Sequence, residues 1–444
     1  MRLFYLKLIF LFAVLSGCSN AQDVDVVNQE EEEQEQENTT SQPNILLVIA
    51  DDMGLDATPG YNIADIKPSM PNLESLMSNG IKFTNFWSYP LCTPTRASII
   101  TGKYGFRTNV TNVGQNLSSN EESIQSYLDA MNSGYSHAVI GKWHLSGNIN
   151  HPNAIGVDNY AGVLGGGVQS YWNWNLVENM QSSNTGEYTT TKFTDLAINW
   201  IVNQNQPWFL WLAYNAPHTP FHLPPNELHS QGVLAEDQSS IDANPLPYYL
   251  AMIEAMDSEM GRLFNAMSQE ERDNTVIIFI GDNGTPNQVA QTYSNRRVKG
   301  SIYQGGINVP MIISGKNIDR LGVEEDALLG TTDLFATIAG IAGSNNSEIN
   351  DSKNFKSMFN TAGVTVRDYA YSEIGDDINN LDYTIRNNEY KLMKFNNGNE
   401  ALYHLTEDPF ESINLLNANR LPLSEEAQLA KNALEAEIIN IKNQ

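Results

Sequence analysis

Ile45-Leu46-Leu47-Val48-Ile49-Ala50, running directly into Asp51-Asp52-Met53-Gly54, decides the fold. Six consecutive apolar residues leave no polar face for solvent. The run therefore predicts a strand covered on both sides. The same pattern returns three times. Ala138-Val139-Ile140 ends at Gly141-Lys142-Trp143-His144. Trp208-Phe209-Leu210-Trp211-Leu212 ends near Pro217-His218. Thr275-Val276-Ile277-Ile278-Phe279-Ile280 ends at Gly281-Asp282-Asn283-Gly284. Helical stretches fall between them, at 70–79, 123–131, 191–202 and 246–267. Alternating strands and helices predict an α/β fold with a large mixed, mostly parallel sheet sandwiched by helices. Ligands of such sheets bind beyond the carboxyl ends of the strands. Four strand ends rich in Asp, Asn, Lys and His thus predict one converging site.

The flanks read differently. Residues 1–17 combine Arg2 and Lys7 with an apolar run to Leu15, the pattern of a signal peptide too short to span a bilayer. Leu15-Ser16-Gly17-Cys18 has the form of a bacterial lipobox, so a lipidated Cys18 is the expected membrane anchor, with plain cleavage nearby as the alternative. Residues 18–42 form an acidic linker that contains Glu30 to Glu33 and has little to bury. The expected location is the bacterial cell envelope, on the outer membrane with surface or periplasmic exposure. Residues 43–350 are the expected α/β/α catalytic domain. Residues 351–444 are expected to form a smaller antiparallel sheet, with a turn at Asn396-Asn397-Gly398-Asn399 and a helix over 424–442.

Charge narrows the partners. Loss of Arg2 and Lys7 with the leader takes the net charge from −27 to −29, and the eight acids between Asp23 and Glu37 leave −21 on the folded part. Such a protein is a poor nucleic-acid binder. It also repels anionic substrates at long range, so an anion site must be built from local cations and a metal.

The strand ends carry the means for that. Asp51, Asp52, Asp282 and Asn283 are hard oxygen donors suited to Ca²⁺ or Mg²⁺. Taken singly, each could equally cap a helix or loop. Arg96, Lys142 and Lys299 can hold an oxyanion, with Arg296 or Arg297 as alternatives to Lys299. His144 and His218 can move protons near neutral pH, with His222 a competitor for His218. Cys92-Thr93-Pro94-Thr95-Arg96 reads as a loop-like, hydroxyl-rich segment. The chain's other cysteine is Cys18, so Cys92 has no disulfide partner in the mature domain.

Asp51-Asp52-x-Gly54, Cys92-x-Pro94-x-Arg96, Gly141-Lys142-Trp143-His144, Pro217-His218, Asp282-Asn283-Gly284 and Lys299-Gly300, in this order, resemble the formylglycine-dependent type I sulfatases of the alkaline phosphatase-like superfamily. Gly305-Gly306, Val309-Pro310, residues 333–337 and the tail from Leu402 to Glu411 extend the resemblance. It implies that Cys92 is oxidised to formylglycine, whose hydrate attacks sulfur. Asp51, Asp52, Cys92, Asp282 and Asn283 then form the implied Ca²⁺ site. Arg96 and Lys142 hold the nucleophile, His218 with Lys299 protonates the leaving oxygen, and His144 expels sulfate. A formylglycine-generating or anaerobic sulfatase-maturing enzyme is an implied partner. Three positions depart from the family pattern: Thr95 for serine, Gln304 for glutamate and Asn308 for arginine.

The expected function is hydrolysis of sulfate esters on a sulfated polysaccharide or its oligosaccharides. Gly165-Gly166-Gly167 and Tyr171-Trp172-Asn173-Trp174 read as a flexible, aromatic insertion that either stacks on a sugar or packs internally. The rival readings are a phosphonate monoester or phosphodiester hydrolase and a non-catalytic surface glycan-binding lipoprotein.

Overall fold

The ten-stranded sheet is built outward from the strand that contains Ile45. The computed structural model describes residues 42–294 and 296–444. The expected signal peptide, Cys18 and the acidic linker as far as residue 41 lie outside the described residues. The strands of the sheet are β1 (Asn44–Ala50), β2 (Gly80–Phe83), β3 (Ser136–Lys142), β4 (Tyr160–Val163), β5 (Trp174–Glu178), β6 (Gln181–Thr185), β7 (Trp208–Ala213), β8 (Thr275–Gly281), β9 (Met311–Gly315) and β10 (Val323–Glu325). Their order is β10-β2-β9-β8-β1-β7-β3-β4-β5-β6. The five central strands, β8-β1-β7-β3-β4, are parallel, and antiparallel pairs flank them.

The apolar run of β1 divides by parity, because successive side chains of a strand point to opposite faces. Ile45, Leu47 and Ile49 enter one core, shared with the helices Cys92–Thr101, Ile124–Ala130 and Leu334–Ile341. Leu46, Val48 and Ala50 enter the other, shared with the helices Pro71–Ser78, Thr189–Ile201 and Leu246–Ala266. Both faces are covered, as the unbroken hydrophobicity demands. Each expected helix is present within one or two residues of its expected limits.

Four consecutive strands of the sheet, β8, β1, β7 and β3, are the four read from sequence as ending in polar clusters. Neighbouring strands lie about 4.8 Å apart. Parallel packing therefore sets four polar loops side by side at one rim.

The C-terminal part is a four-stranded antiparallel meander of β11 (Ala370–Ile374), β12 (Asp382–Arg386), β13 (Tyr390–Lys394) and β14 (Glu400–His404). The helix Glu425–Asn443 packs Ala427, Leu434, Ile438 and Ile441 onto Tyr371, Ile385, Leu392 and Leu402. The expected boundary between Asn350 and Asp351 falls inside a short hairpin formed by Glu348–Ile349 and Ser352–Lys353. Ile349, Phe355, Met358 and Phe359 still belong to the first core, so the second sheet starts later, at Ala370. The described residues form one compact unit.

Candidate active site

Asp51 and Asp52 leave the end of β1, and Asp282 and Asn283 leave the adjacent β8, all four at or below 1% exposure. The rim is stitched together by its own polar groups. The Asp52 amide donates to Asp282 Oδ1 at 3.0 Å, and Asn283 Nδ2 donates to Asp52 Oδ1 at 2.8 Å. Asp52 adopts φ 71° and His144 φ 54°. Non-glycine residues in this left-handed region carry backbone strain, which collects at functional sites.

Cys92 is not in a loop. It is the first residue of the helix Cys92–Thr101, whose ten residues are all buried. Pro94 sits in the first turn, where the missing N–H has no intrahelical partner to lose and the fixed φ suits a helix. Arg96 lies four residues on, so it shares the face of Cys92. The motif spacing is thus one helical turn aimed at the strand ends. Thr95 Oγ1 accepts from the Tyr89 amide at 3.0 Å, which retains the hydroxyl function at the position that departs from the family pattern.

The cations converge on the acids. Lys142 Nζ donates to Asp51 Oδ2 at 2.5 Å, and Lys299 Nζ reaches Asp52 Oδ2 at 2.6 Å. Arg96 donates to Asp282 Oδ2 and to the Lys142 carbonyl, both at 2.8 Å. Three acids and three cations balance locally within a strongly acidic chain. Arg297 is occupied elsewhere, donating to the Phe410 and Glu411 carbonyls, and Arg296 is exposed, so Lys299 is the cation of this segment that reaches the cluster.

The histidines complete the ring. Cys92 Sγ is 3.2 Å from His144 Nδ1. His218 Nε2 lies 3.8 Å from Asp52 Oδ2, and its Nδ1 is 2.7 Å from the Thr219 carbonyl. A carbonyl only accepts, so Nδ1 carries the proton and Nε2 faces the acids. His222 bonds instead to the Tyr188 hydroxyl and the Pro220 carbonyl, and stands outside the ring.

Burial and charge set the protonation states. Burial pushes His144 down to about 2, reinforced by Lys142 and Arg96. Burial and Lys142 push His218 to about 4, against the attraction of Asp52. The latter contact is therefore between a neutral ring and a carboxylate at neutral pH. Burial lifts the Cys92 thiol to about 11 despite Lys142, so the unmodified side chain is a protonated thiol and a weak nucleophile. Burial would raise Asp52, but Lys299 and His218 hold it at about 2. Asp51 is raised well above the carboxylate range by burial, with Lys142 opposing and Asp282 and Asp52 adding repulsion.

That repulsion bears on metal binding. Asp51 Oδ1 and Asn283 Oδ1 are buried acceptors with no hydrogen-bond partner. Ligand atoms of Asp51, Cys92 and Asp282 lie within 4.8 Å of one another, as do those of Asp51, Asp52 and His218. Orphaned hard oxygens beside crowded carboxylates fit a Ca²⁺- or Mg²⁺-type ion.

The sequence profile described as Sulfatase matches residues 43–344. The chain belongs to the sulfatase family. Arylsulfatases are among the relatives it resembles. Arylsulfatase J of Mus musculus is 27% identical over 328 residues, which span 68% of this chain and 53% of that one. The chain thus spans about half the length of this curated relative. The crystal structure of Ps i-CgsB is 26% identical, with a TM-score of 0.74 over 89% of this chain and 92% of that one, and the protein is also known in complex with k-i-k-neocarrahexaose. BT4656, in complex with its substrate D-glucosamine-2-N,6-O-disulfate, shares the fold, with a TM-score of 0.76 at 20% identity over 91% of this chain and 99% of that one.

One part of the sulfatase site escaped the sequence reading. A Cβ on Gly166 would lie 2.5 Å from His144 Cε1 and Nε2, and one on Gly167 would lie 3.2 Å from the His218 ring. Gly166 and Gly167 form a close roof over the two histidines rather than a free insertion. At Gly166 only the absence of a side chain admits the backbone so near. A run of three glycines near strand ends was the available signal. Tyr171 and Trp174 are buried in packing, with Tyr171 against His222 and Trp174 against Phe193, whereas Trp172 is 39% exposed.

Proposed function

We propose that this protein is a formylglycine- and calcium-dependent sulfatase acting on a sulfated polysaccharide or its oligosaccharides. The observation that carries the proposal is the position of Cys92. Its sulfur lies 3.2 Å from His144 Nδ1 and within metal-ligand reach of Asp51 and Asp282. Oxidation of that side chain would supply an aldehyde hydrate as the nucleophile toward sulfur. Asp51, Asp52, Asp282, Asn283 and residue 92 would hold Ca²⁺, which supplies charge neutralisation for sulfate oxygens.

The remaining roles belong to the chain's own side chains. Arg96 and Lys142 are locked to Asp282 and Asp51, so their charges are fixed in place before substrate arrives. His218 Nε2 faces the pocket beside Lys299. The negative charge of a bound ester favours its protonated form, which can then donate to the leaving oxygen. His144 Nδ1, held neutral, is placed to take a proton from a hydroxyl on residue 92. The net reaction adds water across the S–O bond and yields an alcohol and sulfate.

The saccharides bound by Ps i-CgsB and BT4656 support a glycan substrate. We further propose maturation of Cys92 by a formylglycine-generating or anaerobic sulfatase-maturing enzyme. Lipid anchoring through Cys18 in the bacterial cell envelope completes the proposal.

The test is mass spectrometry of the peptide around Cys92 from the native host, together with sulfate release from a panel of sulfated glycans. An aldehyde and sulfate release are expected. An intact thiol with saccharide binding but no turnover would favour the binding lipoprotein, and faster hydrolysis of an aryl phosphodiester than of an aryl sulfate would favour the phosphoesterase.

A further inference from the structure

We infer that the groove beside His218 is a subsite for an uncharged sugar ring of the leaving-group chain, with Trp172 as its stacking surface. This rests on the reading of His218 as donor to the leaving oxygen, because the departing saccharide then extends toward that residue. The structure ties the groove to His218 through two contacts. Tyr171 hydroxyl donates to the His218 carbonyl at 2.7 Å and to the Asn215 carbonyl at 2.8 Å. Gly167, four residues earlier, lies against the His218 ring. The groove opens two residues beyond His218, at Pro220, and encloses about 600 Å³ between residues 169–172 and 220–241, room for a sugar ring.

Its chemistry selects the ligand. Trp172 is exposed, while the rings that support it are buried. Its indole leans on Tyr188 at 5.0 Å and 33°, and it meets the His222 ring at 5.0 Å and 81°. An exposed aromatic plate braced by buried rings is suited to the apolar face of a sugar. Exposed Gln169, Asn226 and Gln238 line the same groove and can bond hydroxyls. Neither lysine nor arginine lines it, and its single carboxylate is Glu236. His222 is held neutral by burial, at about 4. A second sulfate would find no cation here and one acid, whereas the reaction centre holds three cations.

The test measures binding to the Cys92→Ala protein, which needs no maturation. Probes are singly sulfated disaccharides of galactose and of glucosamine, their counterparts sulfated on the neighbouring ring as well, and the sulfated monosaccharides. For the disaccharide that binds best, Trp172→Ala is expected to weaken binding by about tenfold and Trp172→Phe by less. Monosaccharide binding is expected to stay unchanged, and the doubly sulfated form to bind more weakly than the singly sulfated one. Equal disaccharide affinity of wild-type and Trp172→Ala grooves, a parallel loss with the monosaccharide, or tighter binding of the doubly sulfated form would each overturn the subsite. Matured wild type is assayed for sulfate release from the same compounds. Release with an unchanged Trp172→Ala variant overturns the subsite alone; no release from any of them overturns the sulfatase reading and the subsite together.

Discussion

Lys142 and Lys391 are both wholly buried, and each meets one carboxylate directly, Asp51 in the first case and Glu411 in the second. The charged groups of Lys391 and Glu411 are both hydrogen-bonded. Lys391 Nζ donates to Glu411 Oε1 and to the Ile302 carbonyl and lies over the Trp87 ring, and Glu411 Oε2 accepts from the Gln304 amide. Around Lys142 atoms are left over: Asp51 Oδ1, Asn283 Oδ1 and Arg96 Nε have no partner. Burial pulls both ammonium groups down. Glu411 does not fully offset this, and Lys391 settles at about 8, whereas the acids near Lys142, Asp51 foremost, raise it. The Lys391 pair is fully hydrogen-bonded, whereas the Lys142 cluster keeps two buried acceptors unpaired, which suits the proposed ion site.

Cys92→Ala should separate the two regions most sharply. In matured protein it is expected to lower sulfate release on the order of 10⁴-fold or more, measured by ion chromatography, with an unfolding free energy within about 1 kcal/mol of wild type. Turnover at the wild-type rate would remove Cys92 from the chemistry. Lys391→Met should do the reverse. Breaking a closed buried pair leaves the Glu411 carboxylate uncompensated and costs about 3–5 kcal/mol in urea unfolding, while activity per folded molecule is retained.

The same contrast explains what could be read from sequence. β1, β3, β7 and β8 were legible because burial on both faces demands unbroken apolar runs, and the polar residues that follow them stand out. Asp51, Asp52, Lys142, Asp282 and Asn283 stand out for that reason, whereas Arg96 and Lys299 follow no such strand. The helix of Cys92 was not, because all ten of its residues are buried and it has no polar stripe to show a 3.6-residue period. Nor was β6, Gln181-Ser182-Ser183-Asn184-Thr185, which lacks apolar alternation and exists because β5 offers it backbone partners. The glycine roof over His144 and His218 depends on chain segments about 20 to 50 residues apart, a distance no local pattern spans.

A third buried group belongs to the closed class but titrates. Glu373 accepts from the Tyr371 hydroxyl at 2.6 Å and the Phe106 amide at 2.7 Å. Burial raises it from 4.5 to about 7, with these bonds and Lys442 opposing and Asp351 assisting. The folded state therefore holds the proton to higher pH than the unfolded chain. Stability from this group is complete below about 4.5 and is lost as pH rises through 7. Each unit is worth about 1.4 kcal/mol, so wild type should lose about 3 kcal/mol between pH 4.5 and 8 that Glu373→Gln does not lose. Urea midpoints of both proteins at the two pH values check this, and parallel midpoints would assign the slope to other groups.

Calcium gives the smallest effect and the finest distinction between open and closed clusters. An ion bound by the folded state alone, at a hundred times its dissociation constant, adds about 2.7 kcal/mol. Wild type should therefore melt higher in calcium than in chelator. Asp282→Asn removes a carboxylate from the open cluster and should abolish that shift, although the loss of the Arg96 partner lowers its melting temperature in both buffers. Glu411→Gln should also start lower, yet keep the full calcium shift, because both Glu411 oxygens are already hydrogen-bonded and lie outside the proposed ion site. A shift that survived Asp282→Asn would place the ion elsewhere. A shift lost in both variants would mean that the two regions are coupled and that the division between them is false.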